Sequence, residues 1–257
     1  MDKKSDHATS TGRDGRTSER QDRINKLNLL KENEINPYPA KAERDFAIAE
    51  ILAQFEKLQK SGKQINLVGR LRSLREHGNL IFADLEDGTG RIQLAISKKN
   101  IGDEQYKLFL KTIDIGDFLQ ASGKVFLTHT SQKSLEVTAS KILTKTLRPI
   151  PAEHFGLQDE EEKLRKRYLD ILLNADLKEM IVKRAKFWNA IRNFLAAKGF
   201  QEVETPVLET TTGGADARPF ATHHNALDID LYLRISMGEL WQKRLMVVGL
   251  KKHLKLD

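Results

Sequence analysis

The sequence contains no cysteine. That absence excludes disulfides, thiolate nucleophiles and cysteine-ligated zinc. No apolar stretch approaches the roughly 18–20 residues that span a bilayer. No apolar signal core follows the basic residues of the N-terminus, so the expected location is the cytoplasm, with no membrane partner. No His-Glu-x-x-His motif occurs, and the adjacent His223 and His224 would point to opposite faces of a strand, poor geometry for shared ligation. No metal site is therefore expected in this chain. What is present is a core-forming composition: 257 residues, 39% hydrophobic and 31% charged, with a mean hydropathy of −0.50. That length suits one large domain or two ordinary ones. Lys and Arg total 43 against 36 Asp and Glu, and the net +7 suits a polyanionic partner.

Residues 1–23 are polar, with six basic and five acidic side chains, and read as a disordered tail. Residues 24–63 read as N-terminal helices. Ile24, Leu27, Leu30 and Ile35 recur at helical spacing until Asn36-Pro37-Tyr38-Pro39, and a second helix is expected from about Asp45 to Lys60. Residues 64–148 form a β-rich block. Strands are expected at 65–71, 80–85, 91–96, 118–126 and 135–139, with a strong turn at Asp87-Gly88-Thr89-Gly90 and a helix near 104–111. Three strands, a helix and two strands is the order of a five-stranded OB barrel; an SH3-like barrel or a sandwich fragment is the rival. From Ile65 to Arg148 the block carries 13 Lys and Arg against nine Asp and Glu. Residues 149–176 read as a linker opening on Pro149-Ile150-Pro151. From 177 a long amphipathic helix presents Ile181, Ala185, Trp188, Ile191 and Leu195 on one face and stops at Gly199. The following strand, 200–208, contains Pro206, which belongs at an edge, a bulge or an interface.

Several residues could carry chemistry. Phe82 and Gln93 fall on adjacent expected strands. An exposed aromatic beside an amide stacks on and reads an unpaired base, although Phe82 could equally be core. Arg70, Arg72 and Arg75 could track phosphates or simply be solvated. Backbone amides at Thr212-Gly213-Gly214-Ala215 could approach a ligand closely, or the segment is an ordinary loop. Glu239, at the start of an expected helix, either complements the helix dipole or holds a cationic substrate.

Taken in order, Gly69-Arg70, Phe82, the string 87–93, Leu147-Arg148-Pro149, 154–159, Arg167-Tyr168-Leu169-Asp170, Glu202-Val203-Glu204-Thr205-Pro206 and the string 213–235 resemble bacterial class II lysyl-tRNA synthetases from about Ile24 to Gly249. The resemblance implies an α+β chain: N-terminal helices and an OB-fold barrel, then the first part, 177–257, of a class II antiparallel-sheet catalytic domain. It implies that the barrel binds the anticodon of a lysine tRNA, with Phe82 stacking, Gln93 hydrogen-bonding, and Arg70 and Arg75 assisting. Gly213, Gly214, Ala215 and Glu239 would hold lysine. Trp188 and Pro206 would lie in a homodimer interface. The implied reaction joins lysine to ATP, with Mg²⁺, and passes the lysyl group from lysyl-adenylate to tRNA; the alternative is a non-catalytic tRNA-binding OB protein.

The sequence departs from the family pattern in three places. Ser236-Met237-Gly238-Glu239-Leu240 has an extra residue and lacks the usual proline. Lys133-Ser134-Leu135 places Ser134 where the family commonly has a glutamate. The family's Phe-Arg-Asn-Glu motif and its Mg²⁺-binding glutamates do not occur in these 257 residues. The residues 250–257 can be encoded so that one added nucleotide yields Phe-Glu-Lys-Thr-Phe-Glu-Ile-Gly, the family's expected strand. The resemblance thus implies a truncated or frameshifted fragment, inactive in adenylate formation.

Overall fold

The structure is a computed structural model that describes residues 11–151, 157–212, 216–236 and 241–255, with side chains from residue 18 onward. The chain divides into two compact units, Met1–Ala152 and Glu153–Asp257.

The first unit opens with α1 (Thr11–Glu32), α2 (Ile48–Ala53) and α3 (Phe55–Ser61). The strands follow as β1 (Ile65–His77), β2 (Leu80–Glu86) and β3 (Arg91–Ser97). Helices α4 (Lys98–Ile101) and α5 (Asp103–Thr112) lead to β4 (Phe118–Leu127) and β5 (Lys133–Thr144). The five strands pair in the closed order β1-β2-β3-β5-β4, with β4 returning to β1. Only β3–β5 is parallel. Alternation drives the pairing: Ile65, Leu67 and Leu71 of β1, Ile81, Ala83 and Leu85 of β2, and Ile92, Leu94 and Ile96 of β3 are buried. With Leu119, Ala121, Leu135 and Val137 they form one core, joined by Ile48, Ile51 and Phe55 from the helices.

Closure needs tight places. A Cβ on Gly69 would lie 2.7 Å from the Glu86 carbonyl oxygen, and one on Gly123 would lie 2.0 Å from that of Glu136. Both strands cross so closely there that only glycine fits. The β1–β2 ladder is irregular between Leu71 and Ser73. At that point Leu71 turns to the loop before β4: its N–H donates to Asp117 O and its carbonyl accepts from Gly116 N, both at 2.8 Å. Such a bulge bends the strand and lets it pair with β4 on one half and β2 on the other.

The turn at Asp87 begins β3 and also starts α2. Asp87 Oδ1 accepts from Thr89 N (2.7 Å) and Gly90 N (3.0 Å), while Oδ2 accepts from Ile48 N (3.0 Å). Thr89 Oγ1 accepts from Ala49 N at 3.1 Å. Two free N–H groups of α2 are thereby satisfied from a different part of the chain.

A buried charge cluster joins the other end. Lys145, 2% exposed, places Nζ 2.5 Å from Asp114 Oδ2 and 2.7 Å from Asp117 Oδ2. Asp117 also accepts from Asp114 N (2.8 Å) and Thr146 N (2.7 Å). Helix α1 docks on this cluster. Lys26 Nζ lies 2.5 Å from Asp114 Oδ1, and Arg23 Nη1 donates to Ile115 O (3.2 Å) and Thr146 O (3.3 Å).

Here the structure departs from the sequence reading. The expected disordered tail 1–23 overlaps α1, in which Arg23 is only 6% exposed. The end of that segment is held by the hydrogen bonds of Arg23, while the buried apolar anchor of α1, Leu30, lies beyond it, so counting apolar residues before 24 does not reveal it. The single helix expected from 45 to 60 is two, meeting at Gln54. Lys133 Nζ donates to Leu52 O at 3.1 Å, taking a carbonyl that a continuous helix would pair four residues on.

The second unit contains α6 (Glu160–Arg165), α7 (Arg167–Leu173) and α8 (Ala175–Ala197), so the expected linker 149–176 is helical from Glu160. Asn174 Oδ1 caps α8 through Leu177 N (3.1 Å), and Gly199, at φ +80°, ends the turn after it. The strands are β6 (Gln201–Glu202), β7 (Leu208–Glu209), β8 (Ala221–His224) and β9 (Ile229–Leu233); α9 (Lys243–Val247) and β10 (His253–Leu254) complete it. Strands β7-β9-β8 form an antiparallel sheet, and β10 pairs parallel with β6. The strand expected across 200–208 is broken into β6 and β7 with Pro206 between them, because proline has no N–H for a ladder. No helix among the described residues is long and apolar enough to cross a membrane.

Asp87 and Asp114 both titrate below the ordinary carboxylate value of 3.8. Burial acts to raise each. For Asp87 it is outweighed by hydrogen bonds from Thr89, Ile48 and Gly90; for Asp114, by Lys145 and Lys26. Carboxylates depressed in the folded state contribute stability that is full above their unfolded value and lost as pH falls. Urea midpoints are therefore expected to fall steeply below about pH 4. Asp114→Asn should flatten that acid limb while costing about 1–3 kcal/mol at pH 7. An unchanged limb would remove Asp114 from this account.

Candidate nucleic-acid interface

The outward face of β1–β2–β3 is set by the same alternation that fills the core. On β2 it carries Leu80, Phe82, Asp84 and Glu86, all half-buried, and on β3 it carries Arg91, Gln93, Ala95 and Ser97. Phe82 lies outside the core cluster. Its neighbours in register are Ala95 on β3 and Arg75 on β1, and Gln93 stands opposite Asp84. Phe82 and Gln93 thus share one face as diagonal neighbours across two paired strands.

Beyond the irregularity at Leu71/Ser73, β1 sends Ser73, Arg75 and His77 to this face. The His77 ring meets Phe82 edge-on, with centroids 6.1 Å apart and planes at 65°. Arg75 keeps 56% of its side chain exposed and reaches Asp84 at 3.7 Å; Ser73 Oγ donates to the same carboxylate at 2.5 Å. Gln93 Oε1 accepts from Ser134 Oγ at 2.9 Å. At the end of the face an open cleft of about 450 Å³ is lined by Asn79, Leu80, Ser97, Lys98, Lys99 and Asp103.

The three arginines of β1 do not act alike. Arg70 sits before the bulge, paired with Glu86 and Phe118 in register, and its guanidinium stacks 4.4 Å from the Phe118 ring centroid. Arg72 is 3.1 Å from Glu86, with 5% of its side chain exposed. Only Arg75 stands beside Phe82. The bulge changes the parity of the strand, so Arg75 shares the outward face with Arg70 despite their odd spacing. His77 and Asp84 were not singled out by the sequence reading. The spacing of Ser73, Arg75 and His77 two residues apart is the signal that would have found them.

Chemically, this face offers a half-buried ring, an amide with a free end and a solvated cation. Such a surface can stack on a base, hydrogen-bond its edge and neutralise a phosphate.

In the second unit, His223 Nδ1 lies 2.9 Å from Asp230 and Nε2 lies 3.3 Å from Asp228, all exposed. Gly213, Gly214, Ala215 and Glu239 lie outside the described residues. Trp188 is half-buried on α8 and Pro206 is exposed. Among the described residues no three His, Asp or Glu side chains converge as a metal site.

Residues 65–144 match the family model of an OB-fold nucleic acid binding domain, and residues 159–256 match that of class II tRNA synthetases (D, K and N). The chain is thus similar, in order, to an OB-fold nucleic acid binding domain and to class II tRNA synthetases. Within that class its similarity is to lysine–tRNA ligases. It is 47% identical over 230 residues to the enzyme of Moorella thermoacetica, covering 90% of this chain and 46% of that protein. It is 42% identical over 235 residues to that of Bacillus subtilis, covering 90% and 47%. It is 43% identical over 235 residues to lysine–tRNA ligase 2 of Methanosarcina mazei, covering 91% and 46%. The chain spans about half the length of these curated relatives.

The two arginines should separate in unfolding experiments. Arg70→Ala is expected to cost about 0.5–1 kcal/mol through loss of the Phe118 contact. Arg75→Ala should stay within about 0.5 kcal/mol of the parent. Equal urea midpoints for the two variants would show that the Phe118 contact contributes nothing.

Proposed function

We propose that the chain is part of a lysine–tRNA ligase, acting in the ATP-dependent attachment of lysine to its tRNA through lysyl-adenylate, and that its first unit binds the anticodon. The observation that carries this reading is the convergence of Phe82, Gln93 and Arg75 on one face of a domain matching a nucleic-acid-binding family. Phe82 stacks on an unpaired base, Gln93 hydrogen-bonds its edge and Arg75 meets the backbone. Arg70, opposite Glu86 in register, lies on the same outward face further along β2 and assists there.

In this reading Gly213, Gly214, Ala215 and Glu239 hold lysine, a carboxylate suiting its ammonium group. ATP and Mg²⁺ are the co-substrate and cation of the relatives' reaction class; Mg²⁺ would neutralise the ATP phosphates when bound. The protein works in the cytoplasm as a homodimer, with Trp188 and Pro206 at the interface. Support for association comes from α8, whose Met180, Ile181, Val182, Phe187 and Phe194 are exposed. Of these, Met180, Phe187 and Phe194 recur every seven residues on one helix face, and exposed apolar surface of this kind is suited to burial against protein.

A second reading, a non-catalytic tRNA-binding protein, is favoured by one observation: the apolar core cluster lies wholly in the first unit. Filter binding to lysine tRNA and lysine-dependent ATP–pyrophosphate exchange separate the two. Phe82→Ala should weaken tRNA binding by about tenfold or more, since base stacking is worth roughly 1–3 kcal/mol. Arg75→Ala should reduce the salt slope by about one. Equal binding by parent and Phe82→Ala would refute the stacking role.

These 257 residues alone are expected to give no lysine-dependent exchange, because they span about half of the relatives' length and contain no Phe-Arg-Asn-Glu motif. Exchange above background from the isolated chain would overturn that expectation.

A further inference from the structure

Strand β1 sets an arginine opposite a phenylalanine twice, and the two pairs behave differently. Arg70 stands opposite Phe118 of β4, and its guanidinium lies over that ring, 4.4 Å from the centroid. Arg75 stands opposite Phe82 of β2. Yet among the described residues no cation lies over the Phe82 ring. Its aromatic partner is His77, which meets it edge-on.

The difference lies in what else each arginine can reach. Asp84 is the next outward residue of β2, and Arg75 Nη2 leans to its Oδ2 at 3.7 Å. Ser73 Oγ donates to the same oxygen at 2.5 Å, which holds the carboxylate on the β1 side of the face. Arg70 stands opposite Glu86, but that carboxylate already takes Arg72 at 3.1 Å and Arg91 at 2.9 Å. Arg70 turns to the Phe118 ring instead. A guanidinium resting on an aromatic face occupies the surface on which a base would stack. It must be displaced before the base can bind.

We propose that Asp84 is a positioning residue for RNA binding: its carboxylate, held by Ser73, draws Arg75 off the Phe82 ring, leaving the ring open to a base and the cation free to meet the backbone. The proposal rests on the reading in which Phe82 stacks on an unpaired base and Arg75 meets a phosphate. It adds what keeps the ring bare, and it gives a task to an acidic side chain in the middle of an RNA-binding face. Removing an acid from a surface that binds a polyanion ordinarily strengthens binding. Here removal weakens it.

The test is a double-mutant cycle on the 257-residue chain, read by filter binding to lysine tRNA at a salt concentration that screens exposed charges. Asp84→Ala should lower affinity about threefold, because Arg75 then settles on the ring. In an Arg75→Ala background the same change should leave affinity unchanged. Asp84→Asn keeps an acceptor for Ser73 but loses the charge, and should weaken binding in the same direction with an unchanged urea midpoint. Stronger binding by Asp84→Ala in both backgrounds would mean that the carboxylate merely repels phosphate, and would overturn the proposal. Equal weakening in both backgrounds would reveal a purely structural role and overturn it as well. Parent-like binding by Phe82→Ala would instead overturn the stacking reading beneath it.

Discussion

The first unit depends on one buried cation. Lys145 lies at the end of β5 with its Nζ enclosed by two carboxylates, Asp114 and Asp117. Those carboxylates belong to the loop that leaves α5 and enters β4. The pair therefore ties the last strand of the barrel to the approach of its neighbour. Burying a charge costs several kcal/mol unless it is paired and hydrogen-bonded, and here the cation has two partners. The remaining valences of Asp117 are used by backbone N–H groups, and Asp114 still has an oxygen for Lys26 of α1. One lysine thus fixes the barrel seam, the exit of α5 and the seat of the N-terminal helix. Tyr38 adds a fourth attachment by donating its hydroxyl to the Lys145 carbonyl at 3.0 Å.

The two units differ in how fully they bury their apolar side chains. In the first, the core residues of all five strands are almost without solvent contact. In the second, α8 buries only Leu177, and Phe187 and Phe194 are about 60% exposed (61% and 60%). Polar and ionic links hold the elements there. Arg192 Nε donates to both oxygens of Glu202, and Arg234 Nη1 donates to Thr205 and to the Pro206 carbonyl. Trp241 Nε1 donates to Glu209. Links of this type set geometry but contribute little stability when exposed.

Much of the barrel was legible because two-residue alternation is a local signal. Ile65, Leu67, Ile81, Ala83, Ile92 and Leu94 announce inward positions, and Asp87-Gly88-Thr89-Gly90 announces a turn, without any knowledge of distant residues. What was not legible came from partners far along the chain. Helix α1 has few apolar residues before Ile24 and is seated by Arg23 and Lys26 on a loop some ninety residues away, at separations of 92 and 88. Where α2 ends, the Leu52 carbonyl accepts from Lys133, 81 residues on. The parity change in β1, which brings Arg75 to the same face as Arg70, coincides with hydrogen bonds from Leu71 to Gly116 and Asp117. Ser134 was visible as a departure, but its bond to Gln93 depends on the β3–β5 register.

The turn at Asp87 has a geometric consequence beyond capping. Its carboxylate is shared between the first peptide groups of α2 and the residues that launch β3, and Gln93 lies only three positions past Gly90. The N-terminal helices and the Gln93 amide are therefore positioned from a common point. Any tilt of α2 against the barrel is carried into the start of β3 before it can be absorbed elsewhere, so the helices that precede the barrel serve as part of its calibration.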